Sequence, residues 1–268
     1  MKKILTLLIA VALVLAIAGS TSAKPNIKGE EVSYISGTTV MKGYLAYDKN
    51  IKGKRPGILV VHEWWGHNEY ARKRTRMLAE MGYAALAVDM YGDGKQAKHP
   101  DDAGKFSSEL MKNFDTAKER FTAAMDFLKK QDMVAPEEIA AIGYCFGGGV
   151  VLNMARQGVD LKGVASFHGG FAAVKPAQPG AVKAKILVLH GEDDKFATTE
   201  QIDAFKKEMK DAGADFRFIA YPGAIHSFTN PDADAIAKKF NLPLGYNAEA
   251  DKKSWEELGK FLGQIFKK

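Results

Sequence analysis

The segment "EVSYISGTTVMKGYLAYD" (31–48) alternates apolar and polar residues on either side of Gly37-Thr38, which predicts an antiparallel hairpin at the edge of a sheet. After it the alternation gives way to short, nearly continuous apolar runs: "PGILVVHE" from Pro56, "YAALAVD" from Tyr83, "IAAIGYC" from Ile139, "GVASFHG" from Gly163 and "KILVLHGE" from Lys185. Such runs suit strands buried on both faces of a parallel sheet. Between them Ala117, Phe121, Ala124, Met125 and Leu128 fall on one helical stripe, with Lys118, Glu119 and Lys129 turned outward. The last segment repeats the pattern with Trp255, Leu258, Leu262 and Ile265. Strands alternating with helices predict an open α/β fold, a mostly parallel, doubly wound sheet with the antiparallel hairpin at its N-terminal edge. Ligands of such sheets bind beyond the carboxyl ends of the strands, so Glu63, Asp89, Cys145, Asp194 and the loop around His226 are the residues to question.

The start of the chain follows a different pattern. Met1-Lys2-Lys3 leads into a largely apolar run from Ile4 to Ala18, and small residues follow, with Thr21 and Ala23 at the positions a signal peptidase reads. Residues 1–23 are therefore expected to be a cleaved signal peptide and the product to be periplasmic or secreted. The rival reading is an uncleaved anchor, although the run is shorter than the ~18–20 residues a spanning helix needs. Cleavage would leave 245 of the 268 residues as one domain, 24–268, and would lower the formal charge from +6 to +4 with the loss of Lys2 and Lys3. Basic residues are thinly spread, "KGKR" at 52–55 being the densest cluster, and acidic residues are interleaved with them. That pattern reads as a solvated surface, with no nucleic-acid partner and no stable membrane insertion after cleavage. A monomer is the favoured state. With one cysteine there is no internal disulfide, so Cys145 is either a small buried apolar residue or a reactive thiol.

The segment Gly143-Tyr144-Cys145-Phe146-Gly147 joins a buried strand to the helical pattern "VVLNMA". It has the form Gly-X-nucleophile-X-Gly, a strand-to-helix turn in which residues two before and two after the nucleophile come too close for side chains. The turn aims the sulfur at a helix N-terminus, whose positive end favours thiolate. In this architecture the partners follow in the order nucleophile, acid, histidine. His226, in "YPGAIHSF", is the histidine that lies beyond both Cys145 and the next strand end. The acid should come from "GEDDKF"; its Gly-x-x-Asp spacing favours Asp194, with Asp193 as the alternative. "HEWWGH" at 62–67 is not a zinc helix, because three residues separate Glu63 from His67, and no metal site is expected. Its place after a buried strand instead suits an oxyanion hole built from the backbone N–H groups of Trp64 and Phe146.

Taken together, "HEWWGHN", "VDMYG", "GYCFGGG", "GEDDKF" and "GAIHSF" resemble the dienelactone hydrolase family, and the likeness spans nearly all of the chain past residue 23. The resemblance implies an α/β-hydrolase fold and a Cys145–His226–Asp194 triad. It further implies hydrolysis of a small ester or lactone through a thioester, no cofactor, and Glu63 as the local partner of the thiol. Family members that hydrolyse dienelactone hold its carboxylate with two arginines. Those places fall here on Asp93 and Asn230, which leaves Lys95 or Lys98, in a long loop expected from Gly92 to Ala103, as the nearest cations. Neutral or weakly polar esters are therefore expected, with Trp64, Trp65 and Tyr91 lining the pocket. The competing reading is a secreted binding protein that keeps the hydrolase scaffold without catalysis.

Overall fold

The computed structural model describes residues 24–266, so the segment expected to be a signal peptide lies outside the described residues. β1 (Ile27–Ser36) and β2 (Thr39–Asp48) pair antiparallel from Ser36↔Thr39 to Ile27↔Asp48, turning at Gly37-Thr38. β3 (Arg55–Val61), α1 (Glu69–Glu80), β4 (Ala84–Val88), α2 (Pro100–Lys112), α3 (Phe114–Lys129) and β5 (Val134–Tyr144) form the first half of the winding. α4 (Phe146–Arg156), β6 (Gly163–Phe167), β7 (Lys185–Gly191), α5 (Thr199–Asp211), β8 (Phe216–Tyr221), α6 (Ala233–Phe240) and α7 (Ala248–Ile265) complete it. The strands form one sheet in the order β1-β2-β4-β3-β5-β6-β7-β8. β2 meets β4 antiparallel, and every neighbour from β4 to β8 runs parallel.

Both faces of this sheet are covered, which explains why its central strands are apolar throughout. Successive side chains point to opposite faces. Leu59, Val61, Leu86, Ala141 and Val164 pack with α3, α4 and α5, whereas Ile58, Val60, Ala85, Ile142 and Ala165 pack with α1 and α7. The predicted stripe of α3 is buried as read. Along α7, Leu258, Leu262 and Ile265 are buried, while Trp255 lies half-buried with the Arg74 guanidinium 5.3 Å from its ring centroid. Among the described residues, no helix is long and apolar enough to cross a membrane.

One helix departs from the sequence reading, which treated 92–103 as a long loop. α2 begins at Pro100, where the fixed φ of proline suits a first helical position. The His99 side chain accepts from the Asp101 N–H, and Asp101 and Asp102 lie at the positive end of the helix. The shortened loop is held from inside by Asp89. Its Oδ1 accepts from the N–H groups of Tyr91 (3.1 Å) and Gly92 (2.8 Å), and its Oδ2 from those of Gly94 (2.8 Å) and Lys42 (3.0 Å). Fully buried, Asp89 is thereby a structural anchor between the edge hairpin and the β4 loop. Asp89→Ala should lower the unfolding free energy by about 3 kcal/mol in urea titration, with Asp89→Asn falling between, because buried N–H groups lose their acceptors.

Candidate active site

The elbow exists because glycine stands where nothing larger fits. A Cβ on Gly143 would lie 2.1 Å from the Gly147 carbonyl oxygen, and one on Gly147 would lie 2.3 Å from that of Val61. The chain can therefore fold back tightly around Cys145, which takes φ 53° and ψ −116°, a left-handed conformation that L-residues avoid. The turn places Cys145 at the N-terminus of α4, partly exposed in a cavity of about 380 Å³.

His226 and Asp194 reach the same cavity from the loops after β8 and β7. The His226 Nδ1–H donates to Asp194 Oδ2 at 2.8 Å, and both side chains are buried. Asp194 is itself held by the Phe196 N–H on Oδ1 (2.8 Å), whereas Asp193 is exposed. Burial alone would depress the imidazole pKa. The negative charge of a Cys145 thiolate and hydrogen bonds to Asp194 and Cys145 outweigh it and push the pKa up to about 10. The imidazole is thus held between the Cys145 sulfur and the Asp194 carboxylate.

The loop after β3 closes the site from the other side. The Gly147 N–H donates to the His62 carbonyl at 3.1 Å, and His62 bridges onward, donating from Nδ1 to the Glu63 carbonyl (2.5 Å) and accepting from the Met90 N–H at Nε2 (3.3 Å). The Phe146 N–H belongs to the first helical residue, so its own helix offers it no acceptor. Among the described residues the Trp64 N–H has no hydrogen-bond acceptor either. Two open donors beside the thiol are what an oxyanion requires.

Three expectations need correction. Glu63 does not pair with the thiol: its Oε1 accepts from the Ser227 hydroxyl (3.0 Å) and its Oε2 from the Asn230 amide (2.8 Å). Two neutral donors on the turn after His226 claim both oxygens, and the thiol is left to the imidazole, which attracts a thiolate where a carboxylate would repel it. Burial raises the Glu63 pKa, and the hydrogen bonds from Asn230 and Ser227 oppose that rise. Trp65 lies outside the cavity wall, stacked on Phe240 at 5.9 Å between centroids. Tyr91 sits behind Phe146, donating to the Trp64 carbonyl at 2.9 Å, and lines a neighbouring cavity.

The actual wall around Cys145 is Trp64, Met111, Phe146, Ala172, Phe196 and Leu244, with Ser107 and Ser108 at one side and no lysine or arginine. Asp93 and Lys95 face each other on the surface, Lys98 is exposed, and Asn230 is turned onto Glu63. Sequence reasoning missed Ser107, Ser108 and Met111 because it missed α2, whose start was marked by His99-Pro100-Asp101-Asp102. It also missed Phe196 and Leu244. The latter is tied in by a bridge to His226 and by the Gly245 N–H donating to the His226 carbonyl, a contact with no local sequence signal.

The dienelactone hydrolase family model matches residues 41–266. Protein usf of Aquifex pyrophilus is 29% identical over 212 residues, covering 78% of this chain and 90% of its own. Among solved structures, the dienelactone hydrolase-like promiscuous phosphotriesterase P91 from metagenomic libraries is similar with a TM-score of 0.83 at 33% identity. The structure m3DLH is similar with a TM-score of 0.85 at 35% identity, and for both the match covers 90% of this chain and 99% of the other.

Because Cys145 is the largest of the influences that raise the His226 pKa, its removal should be visible by titration. In an NMR titration the parent imidazole should stay protonated through neutral pH and lose its proton near pH 10. In Cys145→Ala, burial regains weight and the midpoint should fall. A midpoint equal to the parent's would show that Asp194 alone sets it.

Proposed function

We propose, for a chain that belongs to the dienelactone hydrolase family and is a hydrolase of carboxylic esters or lactones, that Cys145, His226 and Asp194 work as a triad through a thioester on uncharged substrates. The observation that carries the reading is the His226 Nδ1–Asp194 bond of 2.8 Å, with the other side of the imidazole facing the Cys145 thiol in the cavity. The thiolate adds to the carbonyl carbon, and the displaced electron pair settles on oxygen opposite the Trp64 and Phe146 N–H groups. As that tetrahedral species collapses, the carbon–oxygen bond to the alcohol breaks and the alkoxide takes the proton from His226. Water then gives a proton to His226 and adds to the thioester carbon. Loss of the thiolate restores the resting pair, with Asp194 fixing the ring throughout.

The substrate class follows from the wall. With no lysine or arginine in it, a substrate carboxylate would surrender its hydration without gaining a charged donor. Neutral phosphotriesters form a second class, favoured by the 33% identity to the promiscuous phosphotriesterase; the thiolate would add to phosphorus and expel the aryloxide. Export is proposed on the pattern of residues 1–23 alone, and a purified protein whose mass begins at Lys24 would support it.

Two measurements test the proposal. p-Nitrophenyl acetate should give a burst of p-nitrophenol that Cys145→Ala abolishes; turnover surviving in that variant would sink the thioester route. An uncharged aryl acetate should exceed dienelactone in kcat/KM by at least ~10-fold, the scale of one lost charged hydrogen bond. The reverse order would mean that a cation outside the wall reaches the substrate.

A further inference from the structure

Behind the thiol lies a buried polar chain that the reaction as described does not use. The Cys145 backbone N–H is shared by the Phe167 carbonyl at 3.0 Å and His168 Nδ1 at 3.1 Å. A backbone N–H can only donate, so Nδ1 carries its lone pair and the ring proton sits on Nε2. Nε2 lies 2.7 Å from Thr229 Oγ1, which lies 2.6 Å from the Tyr70 hydroxyl. Arg74 donates from Nε to Tyr70 (3.3 Å) and from Nη2 both to the Thr229 carbonyl and to Asp251 Oδ1 (2.6 Å). His168 is fully buried, holds φ 39° at the end of β6, and meets the His226 ring edge-on at 5.3 Å between centroids. A left-handed, buried histidine with both nitrogens engaged is costly to keep, and strain of this kind clusters at functional sites.

We infer that His168 is a positioning residue for the nucleophile: locked in its Nε2–H tautomer by Thr229, it accepts the Cys145 N–H and braces the His226 ring, so that sulfur and imidazole stay aligned. The tautomer carries the argument. A proton on Nδ1 would oppose the Cys145 N–H head-on, and Thr229, by accepting from Nε2, prevents it. Burial, with the positive charges of His226 and Arg74 nearby, keeps the ring neutral by holding its pKa well below the ordinary histidine value. The anchor of the chain is the ion pair between buried Arg74 and half-buried Asp251, which ties α1 to α7 and reaches the Thr229 carbonyl on the His226 loop. The thiol and its base are thus fixed to one rigid body from behind.

The inference rests on the thiol-nucleophile reading, and its test separates the two. His168→Phe keeps a planar ring but offers no acceptor; His168→Asn offers an acceptor oxygen and tolerates a left-handed backbone. With p-nitrophenyl acetate, His168→Phe should lose ~10- to 100-fold in kcat with KM changed less than about two-fold, the cost of a slightly misplaced reacting atom. His168→Asn should recover most of that loss. Alkylation of Cys145 by iodoacetamide, which needs no ester turnover, should slow and recover in parallel. Thr229→Val, which frees the tautomer without touching the site, should slow both readouts, and Thr229→Ser should restore them. This pair decides the matter if His168→Phe does not fold. Parent-like kcat and alkylation in His168→Phe or Thr229→Val, or no rescue by His168→Asn, would overturn the positioning role. Turnover surviving in Cys145→Ala would instead overturn the nucleophile itself.

Discussion

Cys145 sits at φ 53° and ψ −116° because Gly143 and Gly147 let two pieces of backbone approach to distances at which any Cβ would overlap a carbonyl oxygen. The close approach also sets the neighbours. The Gly147 N–H reaches the His62 carbonyl because α4 packs directly on the end of β3, and the loop that carries Trp64 continues from that contact. A strained residue persists only where its surroundings over-determine it. Here the surroundings are the β3 loop in front and the Phe167–His168 corner behind. The placement of Cys145 and that of the His62–Trp64 loop are consequences of one steric constraint.

Charge is distributed to suit that placement. His226 shares its two sides between Asp194 and Cys145, so its raised pKa reflects these two neighbours acting together against burial. Glu63, the other buried carboxylate at the site, is satisfied by a hydroxyl and an amide, neither of which adds a cation to the cavity. Arg74, the nearest buried cation in this network, is committed to Asp251 and to carbonyl and phenol oxygens. The cavity wall is thereby left without lysine or arginine, while Glu63 and Arg74 are buried outside it. Low polarity at the wall strengthens the few charges that do face the substrate.

The sheet was legible in the sequence because its signal is local: runs apolar on every residue require a strand covered on both faces, as Ile58–Val61 and Ala84–Val88 are. The elbow was legible for a similar reason, since two glycines at fixed spacing around one nucleophile leave few alternatives. Chain order found His226, and the Gly191 turn favoured Asp194 over Asp193. The missing parts depend on distant contacts. Whether Trp64 or Trp65 faces the cavity is decided by Phe240, which lies 175 residues after Trp65 and takes its ring. His168 ends a strand as inconspicuously as His190 does, and only the return of Thr229 beneath it gives the ring its partner.

Glu63 was misplaced for an instructive reason. Its position in the chain is the family's, but a carboxylate goes to the donors that surround it, and here those donors stand at Ser227 and Asn230. Asn230 stands where the resemblance implies arginine, and its short amide, bonded to Glu63, keeps that carboxylate on the His226 loop and away from the sulfur. With the Ser227 hydroxyl on the other oxygen, both oxygens of Glu63 are committed to neutral donors of one turn, so the side chain at 230 helps decide which neighbours the carboxylate keeps.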